Sequence, residues 1–226
     1  MTGGEQRPGC VIVGTGPGLG SALARTFARH GYSLGLVNRS EEPMRELADE
    51  LLPSGTLVVT ESLDVADATA LTEGLRRIRS ALGAIDVLIY NAVGFTGEPP
   101  SRLAPASLQA DLIVGVTSAL TAVQVILPGM TAAGAGTILL TGGGAALYPS
   151  AAMGSLPMTK AALRALAFAL HDELTPRNIH VGTVTIAGGI GDRPELAPER
   201  IAQEFWAVHQ QPPGEWTVET IYPTRS

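Results

Sequence analysis

The chain has 226 residues, of which 45% are hydrophobic, 16% charged and only 4% aromatic, with a formal net charge of -6. This length and apolar content exclude a disordered chain, and an acidic balance with no basic block excludes a partner bound through its phosphate backbone, such as nucleic acid. Cys10 is the only cysteine, which excludes a disulfide-stapled fold and suits a reducing, cytoplasmic setting.

The start, Met1 to Gly9, is short and polar, and no secretory signal is expected there. Cys10-Val11-Ile12-Val13 then forms a short apolar run that ends in glycines, as a buried strand does. A helix is expected over Ser21 to His30, closed by Gly31 at the position after its last turn. The alternation continues with a strand at Ser33 to Val37, a helix at Pro43 to Leu52 and a strand at Thr56 to Val59. A helix at Ala66 to Leu82 and a strand at Asp86 to Tyr90 follow. Gly94 to Ala106 reads as a loop and Ser107 to Met130 as a helix. Next come a strand at Gly136 to Thr141, a helix at Met158 to Thr175 and a strand at His180 to Ile186. After a short loop at Gly188 to Pro198, a helix at Pro198 to His209 and a strand at Trp216 to Ile221 complete the pattern.

Strands without polar alternation, each separated from the next by a helix, imply a parallel sheet covered on both faces. The predicted fold is one α/β domain over residues 1–226, a doubly wound Rossmann-type parallel sheet with helices on both faces. Leu112 to Thr159 carries no charge, but Pro128, Gly129, Gly134, Gly136 and Gly142-Gly143-Gly144 are expected to divide it into pieces too short to cross a bilayer. No membrane partner is predicted. The loops Gly94 to Ala106 and Gly188 to Pro198 fall at the carboxyl edge of the sheet, where open parallel sheets bind ligands.

Between the first strand and the first helix stands Gly14-Thr15-Gly16-Pro17-Gly18-Leu19-Gly20. The spacing G-x-G-x-x-G does not fit, whereas G-x-x-x-G-x-G fits at Gly14, Gly18 and Gly20. Such a turn lets backbone amides approach a pyrophosphate at the helix N-terminus. The second strand ends in Asn38-Arg39. An arginine there accommodates a 2′-phosphate where an acid would hold a ribose hydroxyl, so NADP is favoured over NAD.

These features resemble the short-chain dehydrogenase/reductase family over almost the whole length. The resemblance includes the glycine turn, Leu63-Asp64-Val65 after the third strand, Asn91-Ala92 after the fourth, and Lys160-Ala161-Ala162-Leu163. It implies that Asp64 and Val65 meet adenine, that Asn91 and Ala92 line the cofactor, and that Lys160 holds the nicotinamide ribose. Gly188 stands where the family's Pro-Gly ends. The chain departs from the family at the acid itself, for the tyrosine four residues before the lysine is Leu156. The family's serine falls on Gly143 and its asparagine on Gly115. Of the four catalytic positions only Lys160 keeps its residue, and it is the only lysine against fourteen arginines. The ending from Pro198 to Thr217 resembles a bacterial subgroup that tends to lack the tyrosine.

Tyr148 and Ser155 are the candidates for the missing proton donor, with Thr141 beside the lost serine. His30, His171, His180 and His209 have no metal-ligand spacing, and Cys10 reads as an inert core thiol. The two apolar helices around Leu112 to Leu127 and Ala161 to Leu170 form the subunit interface in the family, which implies a homodimer or homotetramer. The functional expectation is an atypical NADP-dependent oxidoreductase acting on a small molecule. The alternatives are a nucleotide-binding pseudoenzyme or regulatory subunit, and a non-redox isomerase or cyclase.

Overall fold

The computed structural model describes residues 7–224. The start of the polar segment for which no leader is expected, residues 1–6, lies outside them. Strands β1 (Gly9–Val13), β2 (Ser33–Asn38), β3 (Val58–Ser62), β4 (Val87–Tyr90), β5 (Gly136–Gly143), β6 (Ile179–Ile186) and β7 (Glu219–Tyr222) form one sheet. Its order is β3-β2-β1-β4-β5-β6-β7, with every neighbouring pair parallel. The chain winds outward from β1 to β3, returns to the centre at β4, and winds outward the other way. That reversal opens a crevice at the carboxyl ends of β1 and β4, where ligands bind in open α/β sheets.

Both faces are covered because successive strand residues alternate between them. Cys10 and Ile12 face a layer made by α1 (Leu19–Arg29), α2 (Glu41–Leu51) and α7 (Pro198–His209). Val11 and Val13 face α3 (Ala68–Leu82), α5 (Ser118–Ala133) and α6 (Leu156–Leu174). Phe27 and Phe205 are fully buried in the first layer, each contributing about 1.5–3 kcal/mol of burial free energy. The helix ends follow local chemistry. Asp67 accepts hydrogen bonds from the Thr69 and Ala70 amides at the start of α3, and Gly31 follows α1 with a φ of 86°.

Several element ends differ from expectation by a few residues, and three differences have a clear physical cause. Strand β3 spans Val58–Ser62 rather than Thr56–Val59, because pairing with β2 from Leu34↔Val58 to Asn38↔Ser62 sets its limits. Strand β7 begins at Glu219 rather than Trp216, since Trp216 and Thr217 bond to Gln211 instead of to β6. Most instructive is Pro128, which does not divide its helix. The segment from α4 (Pro105–Leu112) through a π turn at Ile113–Thr117 into α5 is continuous. Pro128 lies on the exposed side, Met130 beyond it is buried, and the helix ends at Gly134, whose φ is 66°. Pro105–Ala133 is long and apolar enough to cross a membrane by length and composition. Here one side of it is buried in the layer it shares with α3 and α6.

Candidate functional site

The glycines after β1 do two different jobs. A Cβ on Gly14 would stand 2.5 Å from the Ala92 amide nitrogen, and one on Gly20 would stand 2.6 Å from the Gly14 carbonyl oxygen. Those two glycines let β1, α1 and the end of β4 pack closely. Gly16 and Gly18 have no atom within 4 Å of such a Cβ, and Gly18 adopts a φ of 107° at the start of α1. No side chain caps that helix. The first N–H groups of a helix have no intrahelical acceptor, and here Gly18, Leu19 and Gly20 line a cavity of ≈ 580 Å³. Bare amides on a helix N-terminus beside open space fit a diphosphate group.

A second cavity of ≈ 500 Å³ continues from Gly14 and Gly16 past the ends of β2, β3 and β4, lined by Asn38, Arg39, Asp64, Val65, Asn91 and Ala92. Its walls are fixed by short bonds. Ser62 donates to the Arg39 carbonyl at 3.0 Å, Asp64 accepts from the Ala66 amide at 3.0 Å, and Ser118 donates to the Val65 carbonyl at 2.7 Å. The Arg39 guanidinium makes no hydrogen bond or ion pair among the described residues, while nearby Glu42 is paired with Arg45. The residues expected to hold a dinucleotide thus line two adjoining cavities along one sheet edge.

At the centre lies a polar relay. Asn91 donates through Nδ2 to the Gly14 carbonyl at 2.9 Å and accepts at Oδ1 from the Thr141 hydroxyl at 2.9 Å. Lys160 Nζ donates to the Thr141 carbonyl at 2.8 Å. Thr141 was expected only as a neighbour of the missing serine, yet it links β4, β5 and α6. Lys160 is 8% exposed and lines the cavity beneath the glycine turn. Burial without an anionic partner lowers its pKa to about 8.

Beyond Lys160 opens a third cavity of ≈ 380 Å³, walled by Gly143, Tyr148, Met153, Leu156 and Gly188. Tyr148 stands at its mouth, 53% exposed. Ser155 corrects an expectation. It is wholly buried and outside every cleft wall described here, donating to Asp111 Oδ2 at 2.6 Å and accepting from the Thr96 amide at 2.9 Å. Its hydroxyl clamps the β4–α4 loop to the start of α6, and the proton-donor role lapses with it. His171 bonds to the Val181 carbonyl at 2.9 Å. Cys10 is buried, and burial raises its thiol pKa well above the ordinary value.

The π turn at Ile113–Thr117 was not foreseen. It holds Gly115 against Thr159, and the Val114 carbonyl accepts from the buried Tyr90 hydroxyl. Gly115 within an uncharged helical stretch was the only available signal. Extra turns of this kind gather at functional sites.

A family model for short chain dehydrogenase matches residues 9–192. The chain is 32% identical over 178 residues to a very-long-chain 3-oxoacyl-CoA reductase of Emericella nidulans, which covers 77% of this chain and 51% of the relative. It therefore spans about half the length of that relative. It is 26% identical over 223 residues to the NADP-dependent 3-hydroxy acid dehydrogenase YdfG of Salmonella typhi, with 89% of each chain covered. Among solved structures, a short-chain dehydrogenase from Rhodopseudomonas palustris superposes with a TM-score of 0.86 at 26% identity, covering 96% of this chain and 99% of that one.

Proposed function

Because the chain belongs to the short-chain dehydrogenase family, we propose that it is an NADP-dependent oxidoreductase with a degenerate catalytic set, acting on a small molecule that needs no proton from a protein acid. The observation that carries this reading is the position of Lys160. It is the sole lysine of the chain, buried where the dinucleotide cavity meets a third cavity whose wall at residue 156 is leucine.

Each part of the crevice has a task. The amides of Gly18, Leu19 and Gly20 receive the diphosphate, and the unpaired Arg39 guanidinium receives the 2′-phosphate that separates NADP from NAD. Asp64 and Val65 bound the adenine end. Lys160 donates to ribose hydroxyls, with Thr141 and Asn91 fixing its reach. When bound, NADPH supplies hydride to the neighbouring cavity. Around that cavity Leu156 and Gly143 offer no proton, and Tyr148 is the one remaining side-chain hydroxyl on its wall. A positioned general acid contributes roughly 10²- to 10⁴-fold. Its loss disfavours plain ketones and leaves conjugated acceptors, whose reduced form takes its proton from water.

The same residues favour a second reading. Leu156, Gly143 and Gly115 at three of the family's catalytic positions suit a nucleotide-binding pseudoenzyme or regulatory subunit, and an emptied pocket also suits a non-redox isomerase or cyclase. Titration with NADPH and NADH, followed by an electrophile panel, separates these. Tight NADPH binding with slow oxidation supports the reductase, binding without turnover supports the pseudoenzyme, and no binding defeats both. A homodimer or homotetramer is also proposed. Leu120 on α5 and Phe168 on α6 are exposed apolar residues on the helices that pair in the family. Light scattering on the eluting protein tests it.

A further inference from the structure

Among the described residues, half of the ten large apolar side chains left exposed gather at one edge of the sheet, while Leu52, Leu57, Leu120, Phe168 and Ile221 lie elsewhere. Val93 and Phe95 from the β4–α4 loop, Tyr148 and Met153 from the β5–α6 connection, and Ile190 from the β6–α7 loop all line the crevice or its third cavity. Three separate loops therefore bring exposed apolar surface to one sheet edge. Scattered exposed apolar residues need no explanation, but a gathered patch at the rim of a cavity marks a ligand site.

The third cavity, walled by Tyr148 and Met153 and adjoining the stretch of crevice lined by Val93 and Ile190, carries little charge. Lys160 is the only ionised side chain on its wall, and its ammonium already donates to the Thr141 carbonyl. Arg193 comes near Gly188 at the outer edge but does not wall the cavity. Glycine and alanine backbone forms much of the remainder, so the space is wide as well as apolar. A Cβ on Gly143 would stand 3.3 Å from Lys160 Cγ, so a side chain there would crowd the lysine stem. Once Lys160 is engaged by the cofactor, the wall itself holds no second cation to pair with an anionic ligand. A cationic ligand such as an iminium would meet the Lys160 ammonium at close quarters, and like charges in a poorly solvated site are costly.

We infer that the substrate is a bulky, uncharged, apolar compound with a conjugated carbonyl, its reacting end against Leu156 and Lys160 and its body against Tyr148, Met153 and Ile190. This deepens the proposed reductase function and rests on it for the reaction, though not for binding. In the net step the acceptor gains a hydride at carbon and a proton from water, its carbon–carbon double bond becomes single, and NADPH leaves as NADP⁺.

The test uses the full chain with 4-phenylbut-3-en-2-one and the same compound bearing a para-carboxylate. Binding is measured by calorimetry with and without NADP⁺, and turnover by loss of NADPH absorbance. The neutral compound should bind at least about tenfold tighter than the carboxylate, since a charge would lose its hydration without gaining a partner. Met153→Ser should weaken the neutral compound by about 3- to 10-fold, the scale of a lost apolar contact. Leu52→Ser, at an exposed apolar residue outside the crevice walls, should not change it. Preferential binding without turnover upholds the ligand class and sinks the reductase reading. Equal or tighter binding of the carboxylate, no binding of the neutral compound, or indifference to Met153→Ser overturns the inference.

Discussion

Ser155 donates a 2.6 Å hydrogen bond to Asp111 from a wholly buried position, joining the segment that enters α6 to the end of α4. The same hydroxyl receives the Thr96 amide, so one side chain fixes three parts of the cleft. Ser155→Ala leaves the buried Asp111 carboxyl and the Thr96 amide without this partner. It should cost about 1–3 kcal/mol, the usual penalty for a stranded buried polar group. Urea unfolding measures the loss, and since Ser155 itself lies outside the cavity walls, any change in NADPH affinity should come through its partner Asp111, which lines the adenine-side cavity.

Leu156 stands four residues before Lys160, on the same side of α6, and both line the third cavity. Leu156→Tyr should therefore create a proton donor where none exists. Reduction of an unconjugated ketone should rise by roughly 10²- to 10⁴-fold over the parent protein. Gly143→Ser added to it should give little more, because its Cβ would press on the Lys160 stem at 3.3 Å. Initial rates with the single and double variants decide the matter.

The protonated Lys160 is the form that donates to ribose hydroxyls, and its pKa lies at about 8. NADPH affinity should hold below pH 8 and weaken as the pH rises through that value. Lys160→Ala should weaken binding about 10- to 100-fold at pH 7, in line with the loss of a charged hydrogen bond, and should flatten the pH dependence. A fluorescence titration repeated from pH 6.5 to 9.5 reads both effects.

Arg39 lines the adenine-side cavity with its guanidinium unpaired among the described residues. Arg39→Asp should reverse the coenzyme preference, lowering NADPH affinity by about 10- to 100-fold while improving NADH. Paired dissociation constants for the two coenzymes test this. Equal losses for both would mean that the residue does not read the 2′-phosphate.

His180 is stacked on Trp216, and burial lowers its pKa to about 4 against a smaller opposing pull from the Thr217 backbone. Its ordinary value is 6.5, so between pH 6.5 and 4 the unfolded chain binds the proton more readily than the native one. The stability from a neutral His180 is complete above pH 6.5 and is lost as the pH falls toward 4, by up to about 3 kcal/mol. His209, bonded to Tyr32 and Thr137, is lowered in the same direction. His180→Phe keeps the stacking and should flatten much of this acid limb in urea midpoints taken at pH 7 and pH 5.

The fold was legible because its signals are local and repeated. Apolar runs such as Cys10 to Val13, each followed by a helical pattern, leave few arrangements other than a covered parallel sheet. The glycine turn was legible for the same reason, since Gly14, Gly18 and Gly20 sit together in the chain. Contacts between distant segments were not. Nothing near Ser155 announces Asp111, which is 44 residues away, and nothing near Thr141 announces that it accepts from Lys160. Strand β3 was misplaced because its limits come from β2. Pro128 was given too much weight, because burial of Met130 one turn-fraction beyond it holds the helix together where local propensity alone would break it.

That a single lysine sits inside the closed part of α6 has a practical consequence. A protease that cuts only after lysine has one target in the whole chain, the bond from Lys160 to Ala161, and that lysine is buried in the floor of the crevice in the native protein. Cleavage into two fragments would therefore report each opening of the crevice floor as one countable event, and occupancy of the crevice could be followed by how long the chain stays whole.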